Sequence, residues 1–345
     1  MRRPIVVKLG SALIASENGE PQLERLAHVA AALAEAVHAG ERVCVVSSGA
    51  IALGRARSGL QPGRERSLGR LQAASALGQA ELQRLWQDAF APHGLLAAQV
   101  LLTAAELGER RSYLNVRNAL QALFELRAVP ILNENDTTAT DEISFGDNDI
   151  LAAQVAVLLR ARRLLLLTSV AGVLTHPPDH PSSEVIADGR AAGIAVVGAP
   201  TRTGRGGIAS KVRAAELAAA GGVETIVTSP DALRASLREE PVGTTFAATR
   251  STESAFKLWL RYGKRITTRV EVDEGAAAAL VDHGRSLLAV GVIGWNKPFK
   301  AGDGLEVCQP PDRAIARGIS AVDSSELEGR PADVEVIHRD KLVIL

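Results

Sequence analysis

Residues 133–149 read Asn-Glu-Asn-Asp-Thr-Thr-Ala-Thr-Asp-Glu-Ile-Ser-Phe-Gly-Asp-Asn-Asp, with six carboxylates, three asparagines and no lysine or arginine. The apolar residues 128–132 lead directly into this stretch, and their pattern predicts a buried strand that ends where the acidic residues begin. Carboxylates without basic neighbours beside a core strand indicate either a solvated loop or a site for a cation, a metal or an amine. The residues at the ends of the other predicted strands favour a binding site over a solvated loop.

Strands and helices alternate through the first 230 residues or so. Short apolar runs are separated by segments with the apolar spacing of amphipathic helices. This alternation predicts an α/β fold, a mostly parallel sheet sandwiched by helices. The predicted strands are residues 4–9, 42–46, 95–102, 129–132, 164–167 and 223–227. The predicted helices are residues 22–39, 67–89, 112–127 and 149–161, and a helix that ends at Ala220, while Thr103 and Glu106 have the spacing of a helix capping box.

After about Ala247 the pattern changes to short alternating segments separated by glycine turns, which predicts a small, mainly-β second domain. The predicted domains are residues 1–250 and 261–345, with a linker between residues 247 and 261. The strands expected in the second domain are residues 268–272, 287–292, 305–307 and 334–337.

The composition excludes several classes of protein. The 345 residues include 39 basic and 39 acidic side chains and only 3% aromatics, which argues against electrostatic binding of nucleic acid or anionic membrane and against a base-stacking platform. Cys44 and Cys308 lie far apart in apolar runs, as buried reduced thiols do. No uncharged apolar run approaches the ~18 residues of a membrane helix, and the N-terminus lacks a signal-peptide core. We therefore expect a soluble cytoplasmic protein.

Four predicted strands end in small or polar residues rather than in ordinary turns. In open parallel sheets, ligands bind beyond the carboxyl ends of the strands. Gly10 and Gly49 would let backbone amides approach a ligand, and Lys8 and Lys211 add positive charge. Amides, helix N-termini and lysines at one edge predict a phosphate site. The four strand ends are Lys8-Leu-Gly-Ser11, Ser47-Ser-Gly-Ala50, Asn133-Glu-Asn-Asp136 and Thr168-Ser169.

The common signatures of nucleotide and metal sites are absent from the sequence. No G-x-x-x-x-G-K-[ST], G-x-S-x-G or H-E-x-x-H motif occurs. The loop at residues 204–207 fails G-x-G-x-x-G, because Ala209 stands where the last glycine belongs. His176-Pro-Pro-Asp-His180 has two prolines in a polar loop, which favours a solvated turn over a metal pair.

Several motifs, in their order and spacing, resemble the glutamate 5-kinase family of the amino acid kinase superfamily, and the resemblance covers nearly the whole chain. In the first domain these motifs are Val7-Lys-Leu-Gly-Ser11, Val46-Ser-Ser-Gly-Ala-Ile-Ala-Leu-Gly54, Leu101-Leu-Thr103, Leu132-Asn-Glu-Asn-Asp136, Phe145-Gly-Asp-Asn-Asp149 and Val242-Gly-Thr244. In the second, Val272-Asp-Glu-Gly-Ala276, Ser286-Leu-Leu288 and His338-Arg-Asp340 resemble the PUA domain appended to that family.

The resemblance implies ATP-dependent phosphorylation of the γ-carboxylate of L-glutamate, with Mg²⁺, as the first step of proline synthesis. It further implies feedback inhibition by proline, assembly into homo-oligomers and transfer of the product to glutamyl phosphate reductase. Lys8 and Lys211 would hold the transferred phosphoryl group, and Asp149 would orient them. The implied glutamate-binding residues are Ser48, Gly49, Ala50, Asp136 and Asn148. The implied ATP-binding residues are Lys8, Gly10, Thr168, Ser169, Gly204, Arg205, Gly206, Gly207, Ile208, Ala209, Ser210 and Lys211.

This chemistry suits the residues. A carboxylate nucleophile is ionised at pH 7, so the reaction needs no general base but does need positioning and neutralisation of phosphoryl charge. Asp136 would bind the ammonium group of the substrate. The protein would hold no metal itself, because Mg²⁺ would arrive with ATP, and Asp141 and Glu142 would be solvated.

Two departures from the family pattern and three alternatives stay open. Ser169 replaces an expected aspartate, and Arg205, which replaces a threonine, either contacts phosphate or is solvated. The alternatives are another superfamily enzyme (an aspartate, acetylglutamate or uridylate kinase), an RNA-binding protein, and a weakly active regulatory paralogue suggested only by Ser169. From Arg261 onward there are 12 basic and 13 acidic residues without a basic stripe, which makes nucleic acid an unfavourable partner.

Overall fold

The computed structural model describes residues 2–60, 67–103, 106–107, 110–138, 147–195, 207–249, 253–263, 266, 268–329 and 331–345. The chain forms two compact units, Met1–Thr252 and Glu253–Leu345. Within the described ranges, no helix is long and apolar enough to cross a membrane. Cys44 and Cys308 are buried free thiols.

The first unit is built on a seven-stranded sheet with the order β3-β4-β2-β1-β5-β6-β7. Neighbouring strands are parallel except β6 and β7, which are antiparallel. The central strands are buried along their whole length, as expected for a parallel sheet covered on both faces. The strands are β1 (Ile5–Leu9), β2 (Val43–Ser47), β3 (Leu96–Leu102), β4 (Ala128–Glu134), β5 (Arg163–Leu167), β6 (Glu224–Thr228) and β7 (Thr244–Phe246).

Helices connect these strands largely as the sequence pattern predicts. In α2 the apolar stripe of Leu26, Val29 and Leu33 is buried against the sheet core. Thr103 and Glu106 form the predicted capping box, because each side chain bonds the backbone N–H of the other residue. The helices of the first unit are α1 (Ser11–Ile14), α2 (Leu23–His38), α3 (Ala50–Ser58), α4 (Leu68–Phe90), α5 (Arg110–Glu125), α6 (Asp147–Leu158), α7 (Gly189–Ala195), α8 (Ile208–Ala220) and α9 (Leu233–Leu237).

Helices α3 and α4 pack with their backbones in contact. A Cβ atom at Gly54 would lie 1.7 Å from the carbonyl oxygen of Ala74, and one at Gly78 would lie 1.8 Å from that of Ala50. Glycine is therefore required at both positions for this packing. Because α3 begins directly after strand β2, the contact fixes α4 beside the carboxyl ends of the strands.

The second unit contains a five-stranded sheet, β10-β8-β11-β12-β14, and a two-stranded sheet of β13 and β9. Its own apolar core includes Val270, Leu305 and Val307. Its helices are α10 (Ala255–Leu258) and α11 (Glu274–Val281). Its strands are β8 (Thr268–Val272), β9 (Leu287–Leu288), β10 (Val292–Trp295), β11 (Gly304–Gln309), β12 (Arg313–Ile319), β13 (Glu335–Ile337) and β14 (Leu342–Ile344).

The single strand predicted over residues 287–292 is wrong. A 3₁₀ turn at Ala289–Gly291 separates β9 from β10, and the two strands belong to different sheets. The turn carries Gly291 against α11, where a Cβ atom would lie 2.4 Å from that of Ala276. Strand β12 was not predicted, because its arginines and glycine interrupt the apolar alternation.

Candidate functional site

Three charged side chains meet inside the first unit at the carboxyl ends of the strands. Lys8 projects from β1, Asp149 from the first turn of α6, and Lys211 from the first turn of α8. The ammonium nitrogen of Lys8 lies 2.6 Å from Asp149 Oδ1, and that of Lys211 lies 3.1 Å from Asp149 Oδ2 and 3.3 Å from Oδ1. The side chains predicted to handle phosphate therefore form one cluster, in which a single carboxylate binds both lysines.

The cluster is almost removed from solvent, since Lys8 is 3%, Asp149 0% and Lys211 5% exposed. Burial lowers the pKa of Lys8 to about 8, with Asp149 opposing and Lys211 reinforcing the shift. Burial by itself would raise the pKa of Asp149, but the two ammonium groups hold it below its ordinary value. With all three groups charged, the cluster carries one excess positive charge. That excess suits an anionic ligand such as a phosphoryl group.

Ser48, Asn133 and Asn148 form a hydrogen-bonded chain beside this cluster. Asn148 Nδ2 donates to Ser48 Oγ at 3.0 Å and to Asn133 Oδ1 at 2.8 Å. The backbone N–H of Glu134 also donates to Asn133 Oδ1, which identifies that atom as oxygen and the Asn148 atom facing it as nitrogen. Both amide hydrogens of Asn148 are used, and its buried Oδ1 has no hydrogen-bond partner among the described residues. Ser48 accepts from Asn148, so its own proton can bind a ligand.

Asp136 lies two residues after the end of β4. It is 8% exposed, and its Oδ2 accepts a 2.6 Å hydrogen bond from the hydroxyl of Ser75 on α4. An ionised carboxylate at such a position needs hydrogen-bond donors or a cation to offset its lost hydration. The negative charge of such a carboxylate also suits the ammonium group of a ligand.

Two glycines let the backbone approach a ligand. Gly49 has φ of 113°, and a Cβ atom there would lie 2.7 Å from Ile14 Cγ2, so only glycine fits between β2 and α3. Ala50 follows as the first residue of α3 and is buried. A Cβ atom at Gly10 would lie 3.8 Å from the ammonium nitrogen of Lys8. Gly10 therefore leaves the backbone beside the ammonium group of Lys8 without a side chain.

The predicted ATP residues lie partly within the described structure. The N–H of Thr168, just after β5, donates to the carbonyl of Thr228, while the side chain of Ser169 is exposed. Gly207 precedes α8, and its carbonyl accepts from the N–H of Ser210. Gly204, Arg205 and Gly206 lie outside the described residues, as do Asp141 and Glu142. In the described part, the residues at the start of α8 are Gly207, Ile208, Ala209, Ser210 and Lys211.

The register of the sheet brings these groups to one edge. Leu9 pairs with Ser47 of β2 and with Leu167 of β5. The next residues, Gly10, Ser48 and Thr168, therefore follow the ends of three neighbouring strands at the same level. The N–H of Ser48 also donates to the carbonyl of Leu9 at 3.0 Å. Asn148 and Asp149, adjacent in sequence, join the hydrogen-bonded chain to the lysine cluster.

Within the described part of the chain, no group of three or more His, Cys, Asp or Glu residues could hold a metal ion. Both oxygens of Asp149 already bind lysines. His176 and His180 are exposed, with stacked rings whose centroids are 4.5 Å apart. Within the described residues, neither Asp149 nor this histidine pair belongs to a cluster of that kind.

Ser75 and Asn133 contact predicted site residues but were not themselves predicted. Ser75 lies in an alanine-rich helix, and nothing in its neighbourhood distinguishes it from the other small residues of α4. Asn133 belongs to the Asn-Glu-Asn-Asp motif, yet its role as the acceptor that orients Asn148 depends on a contact across 15 residues. A signal for Asn133 existed, because it stands at the end of a predicted strand beside other polar strand ends.

Known proteins resemble this chain in sequence and in fold. The model of the amino acid kinase family matches residues 3–229, and that of the PUA domain matches residues 268–337. A glutamate 5-kinase from Chromohalobacter salexigens is 42% identical over 99% of this chain and 96% of its own length. One from Novosphingobium aromaticivorans is 41% identical with the same coverage.

Among solved structures, a carbamate kinase from Giardia aligns with a TM-score of 0.52 at 16% identity, covering 72% of this chain and all of its own. At that identity the alignment shows the fold alone. The matches over nearly the full chain show the family. The chain belongs to the amino acid kinase family and, within it, to the glutamate 5-kinases, with a C-terminal PUA domain.

Proposed function

We propose that the protein transfers the γ-phosphoryl group of ATP to the γ-carboxylate of L-glutamate, the first step of proline biosynthesis. Its named relatives support this reaction. The structural observation that carries it is the buried cluster of Lys8, Asp149 and Lys211. A positively charged cluster of this kind, beside polar groups that suit an amino acid, matches the charges of both substrates.

The acceptor would bind through groups of opposite polarity. Its ammonium group would meet the Asp136 carboxylate and Asn148 Oδ1, which can only accept hydrogen bonds. Its α-carboxylate would meet the Ser48 hydroxyl and backbone groups of Gly49 and Ala50, where the N-terminus of α3 favours negative charge. This arrangement leaves the γ-carboxylate directed towards the lysine cluster.

The chemical step needs no proton transfer from the acceptor, because its γ-carboxylate is ionised near neutral pH. One γ-carboxylate oxygen forms a bond to the γ-phosphorus, the bond between that phosphorus and the β–γ bridging oxygen breaks, and ADP leaves with those electrons. Lys8 and Lys211 offset the negative charge on the transferred group. Asp149 holds both ammonium groups in place before ATP arrives, so little reorganisation is needed during the transfer.

The nucleotide would lie over Gly10, Thr168, Ser169 and the start of α8, together with Gly204, Arg205 and Gly206. The N-terminus of α8 offers backbone amides to phosphate. Mg²⁺ would be held by the phosphate oxygens of ATP, since Asp149 already accepts from two lysines and the described residues build no metal cage. When bound, it neutralises further charge on the phosphates.

The proposal extends to partners and location. L-Proline, the end product of the pathway, would inhibit by competing at the Ser48–Asp136–Asn148 site, since it shares the carboxylate and the ammonium of glutamate. The enzyme would act in the cytoplasm as a homo-oligomer. It would pass its labile acyl phosphate to glutamyl phosphate reductase.

An acceptor screen tests this function. ADP release is measured with ATP and Mg²⁺ in the presence of L-glutamate, L-aspartate, N-acetyl-L-glutamate, UMP or no acceptor, each with and without L-proline. We expect release that depends on L-glutamate and is reduced by L-proline in competition with it. Faster release with any other acceptor would assign the enzyme to a different branch of the superfamily.

A further inference from the structure

Helix α4 directs a row of polar side chains at strands β2, β3 and β4 and at the loop that follows β4. Ser75, Gln79, Gln83 and Trp86 recur at helical spacing and so share one face of α4. All four donate hydrogen bonds to residues of β2, β3 or β4 or of the loop after β4. Ser75 donates to Asp136 Oδ2 at 2.6 Å, and Gln79 donates to the Glu134 carbonyl at 3.4 Å. Gln83 donates to the Ala97 carbonyl at 2.7 Å, and Trp86 donates to Ser47 Oγ at 2.9 Å.

The contact of Ser75 with Asp136 differs from what a buried helical serine usually does. Such a hydroxyl commonly bonds a carbonyl four residues earlier, as that of Ser236 bonds the Ala232 carbonyl at 3.0 Å. The Ser75 hydroxyl, in a side chain only 1% exposed, instead donates to a carboxylate 61 residues away. At 2.6 Å this is the length of a hydrogen bond strengthened by charge.

The position of Ser75 is set by close helix packing. Gly78, one turn further along α4, touches the Ala50 backbone, and Gly54 of α3 touches the Ala74 backbone. Ser75 therefore has little freedom to move relative to α3. The same helix pair carries Ala50, the first residue of α3, so it holds both proposed ends of the acceptor site.

We propose that Ser75 is a positioning residue for the acceptor, whose hydroxyl holds the Asp136 carboxylate in the orientation that binds the substrate ammonium. A carboxylate has about four acceptor positions, so Asp136 can accept from Ser75 and also bind an ammonium group. The proposal rests on the proposed role of Asp136 in binding L-glutamate. Ser75 does not touch the reacting atoms, so it acts on the affinity for the acceptor and not on phosphoryl transfer.

The test is a double-mutant cycle on the full-length enzyme with Ser75→Ala, Asp136→Asn and both changes together. The measured quantity is kcat/KM for L-glutamate at saturating ATP, which is accessible even where saturation by glutamate is not reached. We expect Ser75→Ala to lower kcat/KM about tenfold through KM, the effect of losing a hydrogen bond to a charged group, with kcat within about twofold. In the Asp136→Asn background the same change should alter kcat/KM less than about twofold.

Ser236→Ala is the matched control, because it removes a buried helical hydroxyl that, among the described residues, bonds a carbonyl at the start of its own helix. It should leave KM for L-glutamate unchanged. An unchanged kcat/KM in Ser75→Ala, or an equal loss with and without Asp136→Asn, would overturn the role of Ser75. If the unmodified enzyme released no ADP with L-glutamate, the proposed function itself would fail, so the two failures are distinguishable.

Discussion

Asp149 is the residue on which the proposed chemistry depends most directly. It is fully buried, and its two oxygens bind Lys8 and Lys211. A single negative charge between two positive ones stabilises both buried lysines without cancelling their attraction for phosphate. We therefore expect Asp149 to set the geometry of the cluster, and the lysines to act on the transferred group.

Removal of either lysine tests this division of roles. Lys8→Ala or Lys211→Ala should lower kcat about 10²-fold or more, because each would remove one charge contact with the transferred group in the transition state. Steady-state ADP release at saturating substrates measures the effect. Lys300→Ala, at an exposed position in the second unit, is the control and should behave like the unmodified enzyme. Near-normal turnover without Lys8 or Lys211 would remove that lysine from the mechanism.

The lowered pKa of Lys8 predicts a pH dependence. Lys8 is charged below about pH 8 and neutral above it, so kcat/KM for ATP should fall as pH rises through about 8. The fall should disappear in Lys8→Arg, even if that variant is slower, because a guanidinium stays charged over this range. The check is a profile of initial rates from pH 6.5 to pH 10. A profile of the unmodified enzyme that is flat up to pH 9.5 would contradict the assignment.

The charged residues of the site can be predicted from the sequence, but not all of their hydrogen-bond partners can. Lys8, Asp149 and Lys211 can be predicted because each stands at a strand end or helix start. Ser75 cannot, because its function comes from a contact with Asp136 across 61 residues that no local pattern records. The orientation of Asn148 also depends on a distant residue, Asn133.

At the scale of elements, the pair of helices α3 and α4 supports the acceptor site. Their backbones touch at Gly54 and Gly78, and α4 holds Ser75 against Asp136. Sequence periodicity predicts α4 but not its contact with α3, since a glycine within a helix has several structural explanations. The strands of the parallel sheet could be predicted for a different reason: they are buried on both faces and read as continuous apolar runs.

In the second unit the strands are shorter and less regular, so the sequence pattern does not show that a 3₁₀ turn at Ala289–Gly291 separates β9 from β10.

Gly78→Ala tests whether the helix contact matters. The added Cβ would lie 1.8 Å from the Ala50 carbonyl oxygen, so α3 and α4 must separate. We expect unfolding free energy to fall by about 2 kcal/mol or more, with a rise in KM for L-glutamate. Thermal unfolding and steady-state kinetics measure the two effects.

Gly69→Ala, on the same helix, is the matched control. A Cβ atom there meets no described atom within 4 Å, so this change should stabilise the protein by up to about 1 kcal/mol through helix propensity and leave KM unaffected. Equal stability changes in the two variants would show that the backbone contact at Gly78 is not required.

At the scale of the whole molecule, the chain consists of two compact units, each with its own apolar core. The kinase domain contains all the described residues of the proposed site. The PUA domain has nearly balanced charge, with 12 basic and 13 acidic residues from Arg261 onward. Phosphate contacts dominate the affinity of proteins for nucleic acids, so this balance gives RNA little to bind.

The full-length protein should therefore leave the mobility of a structured RNA unchanged in a gel shift at physiological salt. A basic RNA-binding protein run in parallel verifies that the assay detects binding. A shift that weakens steeply with added salt would show phosphate contacts and revive RNA binding as a function of the PUA domain.

The proposed reaction makes an acyl phosphate on the γ-carboxylate of L-glutamate. Hydroxylamine traps acyl phosphates as hydroxamates, and mass spectrometry with NMR identifies which carboxylate has reacted. With ATP, Mg²⁺, L-glutamate and hydroxylamine, we predict the γ-hydroxamate of glutamate in equal amount to the ADP released, and about 10²-fold less or lower in Lys211→Ala over the same time. ADP formed without hydroxamate, or hydroxamate on the α-carboxylate, would contradict phosphorylation of the γ-carboxylate.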